Sequence, residues 1–483
     1  NERYDLSFDA GSRNTGCGGD QTGTTAYYSG KLIAKNCTFY NASWWGCSVN
    51  NEGEFYDCIF DSNIAGVVVN KKASFTRCTF KNNGFTGAQV YGDSATFDNC
   101  SFYGSENGIS SYTNILTVSN CKFYNHASGI VNNGSGIYVA SGTANVSGSN
   151  IYSNKYGIDN RGTLNFKSGN VYNNNSTYPT NTQWAQGCGI INNGGTCNIS
   201  GGTIRDNGWG NVWNNSGNMN ISGGTISNKA GQDQTSSYGV WNNQNCTITG
   251  GNIYGYTAQN NNNAASAVRN CNTLTVKSTS TSSPNIYSSN MGIDTSNGTT
   301  SFEGGTVYSN TTGIYCNTGA TVNVKGGTIK ENKTGLYNAG TTTMSKGKVT
   351  KSTQMNIDVY DGTVNFTGGE ITESGKRYYG VEIENNGSSV FKQSADIGQN
   401  TNGGVRVWAK GINRYNVYKG AKTAVGSNGD DTAVYLDTGA SMTIHDPLTE
   451  DVKVASFDRY TGKVIANCDN ETIANSAQEH LKL

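Results

Sequence analysis

One phrase returns along this chain at a nearly fixed interval. Ser200-Gly201-Gly202-Thr203-Ile204 is followed by Ser222-Gly223-Gly224-Thr225-Ile226. Further copies are Gly250-Gly251-Asn252-Ile253, Gly304-Gly305-Thr306-Val307, Gly326-Gly327-Thr328-Ile329 and Gly368-Gly369-Glu370-Ile371. Most neighbouring copies lie about 20–22 residues apart, and insertions stretch a few intervals to about 26–33. A period of that length is one coil of a parallel β-helix, where each repeat buries its apolar residues only by stacking on its neighbours.

The N-terminal third keeps the period with other residues. Cys37-Thr38-Phe39, Cys58-Ile59-Phe60, Cys78-Thr79-Phe80, Cys100-Ser101-Phe102 and Cys121-Lys122-Phe123 are again about 20–22 apart. Aligned on the apolar residue, each cysteine takes the column of the second glycine. Degenerate copies near Ile151, Val171, Ile286, Val349 and Ile397 bring the expectation to roughly sixteen coils, a rod of about 75 Å at ~4.8 Å per coil.

A second phrase lies upstream in each coil: a small residue, an apolar one, a variable one, then Asn. Gly129-Ile130-Val131-Asn132, Gly157-Ile158-Asp159-Asn160, Gly189-Ile190-Ile191-Asn192, Gly239-Val240-Trp241-Asn242 and Gly335-Leu336-Tyr337-Asn338 are examples. Strand alternation points the apolar residue and the Asn inward and the variable residue outward. Stacked inward amides can then bond along the column, with Thr295 and Cys316 as interruptions.

Composition supports strands and tight turns. Of 483 residues 64 are Gly and only 3 Pro, and 14 % are charged. Lys+Arg and Asp+Glu are equal at 34 each, which argues against an electrostatic nucleic-acid partner. No apolar run approaches a membrane span. With no initiator Met, signal peptide or anchor motif, the sequence reads as a mature fragment or a domain of a longer protein. Residues 1–30 are expected to cap the N-terminal end, residues 31–445 to form the β-helix, and residues 446–483 to form a C-terminal cap or linker with a short helix over 471–483. Caps protect open coils from edge-to-edge association. Several Asn-x-Ser/Thr triplets, such as Asn198-Ile199-Ser200, fall within repeat strands and reflect repeat composition.

These phrases resemble the right-handed parallel β-helix proteins of the pectin-lyase-like superfamily. They are most similar to Gly-Gly-Thr-Ile repeat proteins displayed on Gram-positive gut bacteria, over about residues 31–445. The resemblance implies an all-β solenoid at an extracellular, secreted or cell-surface location. It leaves activity open, because one fold hosts lyases, hydrolases, tailspikes and adhesins.

Thirteen cysteines leave at least one unpaired. The five-membered column reads as buried thiols, because parallel Cβ vectors suit neither a bridge nor a tetrahedral metal. Cys197 and Cys246 share an inward column with Met219. Cys17, Cys47, Cys188 and Cys468 lie outside the columns and are the better disulfide candidates. His126, His445 and His480 have no partner at a catalytic spacing and read as surface or cap residues. No cofactor or metal site is expected.

The outward variable position gives the candidate binding residues. Down the coils it reads Asp159, Ile191, Trp213, Trp241, Arg269, Asp294, Tyr315, Tyr337 and Asp358. Aromatic side chains beside Arg and Asp suit sugar rings, whose C–H faces stack while their hydroxyls need polar partners. Trp209 and the insertion holding Tyr178 and Trp184 could wall the same face; packing against inserted loops is the competing explanation. The expected role is a non-catalytic adhesin that recognises a glycan or host surface ligand.

The alternative is a polysaccharide lyase or glycoside hydrolase. Carboxylates between Cys121 and Thr300 are few and scattered: Asp159, Asp206, Asp233 and Asp294. Near the C-terminal end Glu370, Glu373, Arg377, Glu382, Glu384 and Arg406 fall on successive coils, and catalysis would need Glu382, Glu384, Arg377 and Arg406 to converge. Ice binding would want an unbroken outward Thr row. Thr203, Thr225, Thr306 and Thr328 begin one, but Asn252, Lys348 and Glu370 break it.

Overall fold

The computed structural model describes residues 7–9, 31–126, 134–174, 187–228, 238–257, 265–376, 378–384, 388–391, 396–398, 400, 404–407, 414–417, 433–448, 451–457 and 464–482. The chain is a parallel β-solenoid of about sixteen turns. It divides into two compact units, Asn1–Asn245 and Cys246–Leu483.

In the first unit most coils contribute three strands, the first two running together in Cys188–Ile199 and Gly210–Ile221, and strands pair in parallel with their counterparts in the neighbouring coils. Ala65–Val69, Lys72–Thr76 and Thr79–Lys81 form one such coil. Thr86–Val90 begins the next, paired with Ala65–Val69. The strand carrying the small-apolar-X-Asn phrase is called the Asn face below; the short strand carrying Cys-X-Phe or Gly-Gly-Thr-Ile is the Gly-Gly face.

Alternation places Phe on two inner columns. Phe39, Phe60, Phe80, Phe102 and Phe123 stack at 4.5–4.9 Å between centroids. Phe55, Phe75 and Phe97 stack at 4.7 Å. The two columns meet edge to face, as at Phe75–Phe80, 5.6 Å and 71°, the arrangement aromatic quadrupoles favour. Further on Ile151, Val171, Ile204 and Ile226 take over the Gly-Gly-face column in register.

Cys121 lies over Ser149, which is aligned with Gly169, so the cysteine and glycine columns are one. Cys78 and Cys100 donate their backbone N–H to the sulfur of the next cysteine, at 3.4 and 3.3 Å. Each of these sulfurs also donates to the carbonyl two residues back. The side-chain bond with Cys100 and burial push the Cys78 thiol up to about 12. Such thiols are inert fillers.

Two amide ladders run inside the first unit. Asn160, Asn192, Asn214 and Asn242 form the expected one, each Nδ2 donating to the next Oδ1 at 2.7–2.9 Å. The second was not expected: Asn154, Asn174, Asn207 and Asn211 bond in sequence at 2.7–3.0 Å. Its members through Asn207 sit three residues after the apolar residue of the Gly-Gly face, behind a left-handed residue such as Ser153, Asn173 or Asp206. Glycine on the Asn face is required by close approach, since a Cβ on Gly66 would lie 2.4 Å from the Gly87 carbonyl.

Several expectations change. His126 is fully buried, not at the surface or in a cap. It occupies a rung of the second ladder, its N–H donating to Asn154 Oδ1 at 3.1 Å. Cys47 is a core residue aligned with Val67, and Cys188 is a buried free thiol on the Asn face, so neither is outside the columns. Cys17 and the Gly129–Asn132 copy lie outside the described residues; Ser135–Val139 is the Asn-face strand of that coil. Ser7–Asp9 already pairs with Thr38–Tyr40, so coil pairing begins within residues 1–30.

In the second unit the same rules hold. Ile253, Ile286, Val307, Ile329, Val349, Ile371 and Ile397 share one column. Asn310 and Asn332 continue a second-ladder pattern at 3.0 Å, and Asn270, Thr295, Cys316 and Asn338 align as expected. Parallel pairing runs past Asp446, through Val452–Ser456 and Ala466–Cys468. The helix Glu471–His480 follows, capped by the Asn470 side chain, which accepts from the Ile473 N–H. Cys468 is a half-buried free thiol. His445 and His480 bond to Asp469 and Asp451 at 2.7 and 3.1 Å.

Two outcomes follow for stability. Phe80→Ala opens a cavity in the middle of a stack and should cost about 3–5 kcal/mol, read as a lower denaturant midpoint. Burial lowers the His126 pKa from 6.5 to about 4, and Nε2 has no partner. Its contribution is therefore complete above about pH 6.5 and is lost as pH falls toward 4, by about 3 kcal/mol in all. His126→Asn, which restores a ladder residue, should unfold at a denaturant midpoint that changes less between pH 7 and pH 4.5 than the parent's.

Candidate functional site

Outward residues of the Asn face form a file in each unit. In the first unit Tyr138, Asp159, Ile191, Trp213 and Trp241 are aligned rung to rung. Small members sink between large neighbours: Ile191 is 4 % and Asp159 7 % exposed. Burial raises the Asp159 pKa, opposed by the Asn193 amide, which donates at 2.8 Å, and by Arg161. Trp209 is buried, with its ring 4.0 Å from Trp241 and 5.0 Å from Trp213. Tyr238 packs edge-on to Trp241 at 4.8 Å. The tryptophans thus form a packed cluster with each other, not a row of open ring faces. Tyr178 and Trp184 lie outside the described residues.

In the second unit the file is longer than the sequence suggested. Arg269, Asp294, Tyr315, Tyr337 and Asp358 are aligned as expected. Beyond them the register adds Glu382, Arg406 and Tyr435. Eight rungs at ~4.8 Å give a strip roughly 34 Å long.

Tyr315 and Tyr337 stack at 4.8 Å and 4°, and Tyr360 adds a third ring at 5.5 Å from Tyr337. The faces between them are used up, leaving the ring edges, the phenol hydroxyls and the outer side of the 42 % exposed Tyr360. Burial pushes the Tyr337 phenol up, with Tyr315 and Asp358 adding to it.

Asp358 and Glu382 follow on consecutive rungs, 8 % and 2 % exposed. The backbone N–H of Tyr379 donates to Glu382 Oε1 at 3.3 Å. Asp358 Oδ1 has no hydrogen-bond partner. Burial first, then the charges of Glu384 and Glu382, raise the Asp358 pKa from 3.8 to about 8. Asp294 in the same file is buried too, but receives the Ser296 hydroxyl at 2.9 Å and has Arg269 at 3.9 Å. Past Glu382, Arg406 donates to Asp437 at 3.1 Å and lies over the Tyr435 ring at 5.6 Å.

The suspected catalytic group therefore divides. Glu382 and Arg406 share the file, and Glu384 acts on Asp358 from beside it. Glu370 belongs to the Gly-Gly face, aligned with Lys348 and ion-paired to it at 3.1 Å; Glu373 pairs with Lys351 at 3.9 Å. Arg377 lies outside the described residues. Among the described residues no group of three or more His, Cys, Asp or Glu is arranged to hold a metal ion. None of their helices is long and apolar enough to cross a membrane.

Because Asp358 binds its proton more tightly folded than unfolded, its contribution to stability is present below about pH 4 and is lost as pH rises toward 8. Asp358→Asn should leave the denaturant midpoint unchanged near pH 4. At pH 8 it should raise stability by roughly 2–5 kcal/mol.

A family model described as the right handed beta helix region matches residues 65–226, about a third of the chain. No curated protein matches. Together with the parallel coils described above, the match identifies the chain as a right-handed parallel β-helix repeat protein, consistent with the pectin-lyase-like kind.

Proposed function

We propose that this chain is an extracellular or cell-surface binding protein that holds a carbohydrate polymer along the outward strip from Arg269 to Tyr435. The observation that carries the reading is the file itself. Polar groups, a tyrosine stack, a carboxyl pair and an arginine follow one another at a constant strand spacing, which suits a ligand that is itself a repeating chain. Phenol edges and hydroxyls meet sugar hydroxyls, while the exposed side of Tyr360 offers a ring face for stacking. The surface setting rests on the resemblance to displayed Gly-Gly-Thr-Ile repeat proteins.

A second reading, hydrolysis of the bound polymer, is favoured by one feature. Asp358 and Glu382 sit about one strand spacing apart, and Asp358 stays protonated at neutral pH, as a general acid must. It requires reducing ends to appear with time and to vanish in Glu382→Gln.

Binding is tested on a glycan array. Tyr315→Ala/Tyr337→Ala should weaken binding by about tenfold or more, while Trp213→Ala/Trp241→Ala, altering the packed cluster of the first unit, should retain it. Unchanged binding by the tyrosine variant would exclude the strip.

A further inference from the structure

Asp358 departs from the pattern of Asp159 and Asp294, two other buried carboxylates of the Asn face. Asp159 has Asn193 and Arg161, and Asp294 has Ser296 and Arg269, so each buried charge meets a donor and a cation. Asp358 is over nine-tenths buried and its Oδ1 meets neither. The groups that face it are Tyr337 on the preceding rung, Glu382 on the following rung, Glu384 and Tyr315. Tyr360 follows two residues later. Arg406, one rung beyond Glu382, directs its guanidinium to Asp437 and the Tyr435 ring. A buried acceptor left unpaired close to two like charges is costly unless a donor arrives with a ligand.

We infer that Asp358, Glu382 and Glu384, beside the rings of Tyr337 and Tyr360, form a subsite for the primary ammonium of an amino sugar within the bound polymer. This rests on the reading of the strip as a glycan face. An ammonium supplies N–H donors and positive charge to the unpaired Asp358 oxygen, and the outer face of the Tyr360 ring, left free by the stack, attracts a cation as well. An N-acetylated sugar brings an amide donor without the charge. A uronate brings a second negative charge to a site already acidic, and is disfavoured.

The chemistry makes binding visible in protons. Below about pH 8 the free protein holds a proton on Asp358, and an incoming ammonium favours the carboxylate, so that proton leaves to solvent as the ion pair forms. The test is calorimetric titration with hexamers of glucosamine, N-acetylglucosamine and galacturonic acid at about pH 5.5, in two buffers of different ionisation enthalpy. The glucosamine hexamer should bind about tenfold tighter than the acetylated one and release about one proton per site. Asp358→Asn, near-isosteric and checked by its melting curve, should lose both the preference and the release. Equal binding of the glucosamine and acetylated hexamers without proton release, or tighter binding of galacturonate, would overturn the ammonium subsite while leaving the glycan face standing. Binding of none of the three by the parent protein would bring down both.

Discussion

The hydrogen bond between one coil and the next fixes everything else in this protein. Each strand pairs in parallel with the same strand a coil away, so a residue is stacked on its own counterpart at the strand spacing. A position tolerated once must then be tolerated as a column. Phenylalanine satisfies this by ring stacking, isoleucine and valine by filling, cysteine by chaining N–H to sulfur. Asparagine satisfies it by handing an amide hydrogen to the next amide oxygen, which lets amides sit in a dry core with the ladder open only at its first rung, where Asn160 Oδ1 has no partner.

The same constraint acts outward. Side chains that leave the core on the Asn face are also brought to one line, and there like groups are not always compatible. Tyrosines stack well. Carboxylates on adjacent rungs do not, and Asp358, held up first by its burial and then by the charges of Glu384 and Glu382, keeps its proton. The solenoid thus places acidic groups side by side as a consequence of register, and what the acids then do is set by which neighbours lack a cation.

Much of this is legible in the residues. The Gly-Gly-Thr-Ile and Cys-X-Phe phrases give the period, and Gly-apolar-X-Asn gives the first ladder and the outward file up to Asp358. The second ladder was equally visible, since Asn154, Asn174, Asn207, Asn310 and Asn332 all lie three residues after a repeat Ile or Val, but the turn between them hides that they point inward. His126 shares this spacing with Asn154, and only the stacked context reveals it as a rung. Cys47 lies in a strand without the Asn of the phrase, and Cys188 sits just ahead of Gly189-Ile190-Ile191-Asn192, at a position the phrase does not assign. Glu382 and Arg406 were found as charges but not placed in the file: Gly380-Val381-Glu382-Ile383 and Gly404-Val405-Arg406-Val407 end in aliphatic residues where the phrase expects Asn. The burial of Trp209 depends on neighbours one coil away and could not be read from local sequence.

The central claim is a division of labour in the second unit: inward columns hold the fold and the outward file is free to carry function. Its most direct test is the thermal unfolding, near pH 4 where the Asp358 charge plays no part, of a protein in which Tyr315, Tyr337 and Asp358 are all replaced by threonine, a residue that suits a strand. If the claim holds, the far-ultraviolet spectrum is unchanged and the melting midpoint stays within a few degrees of the parent's. A melt lowered by tens of degrees, or loss of the β spectrum, would show that the file is part of what holds the coils together.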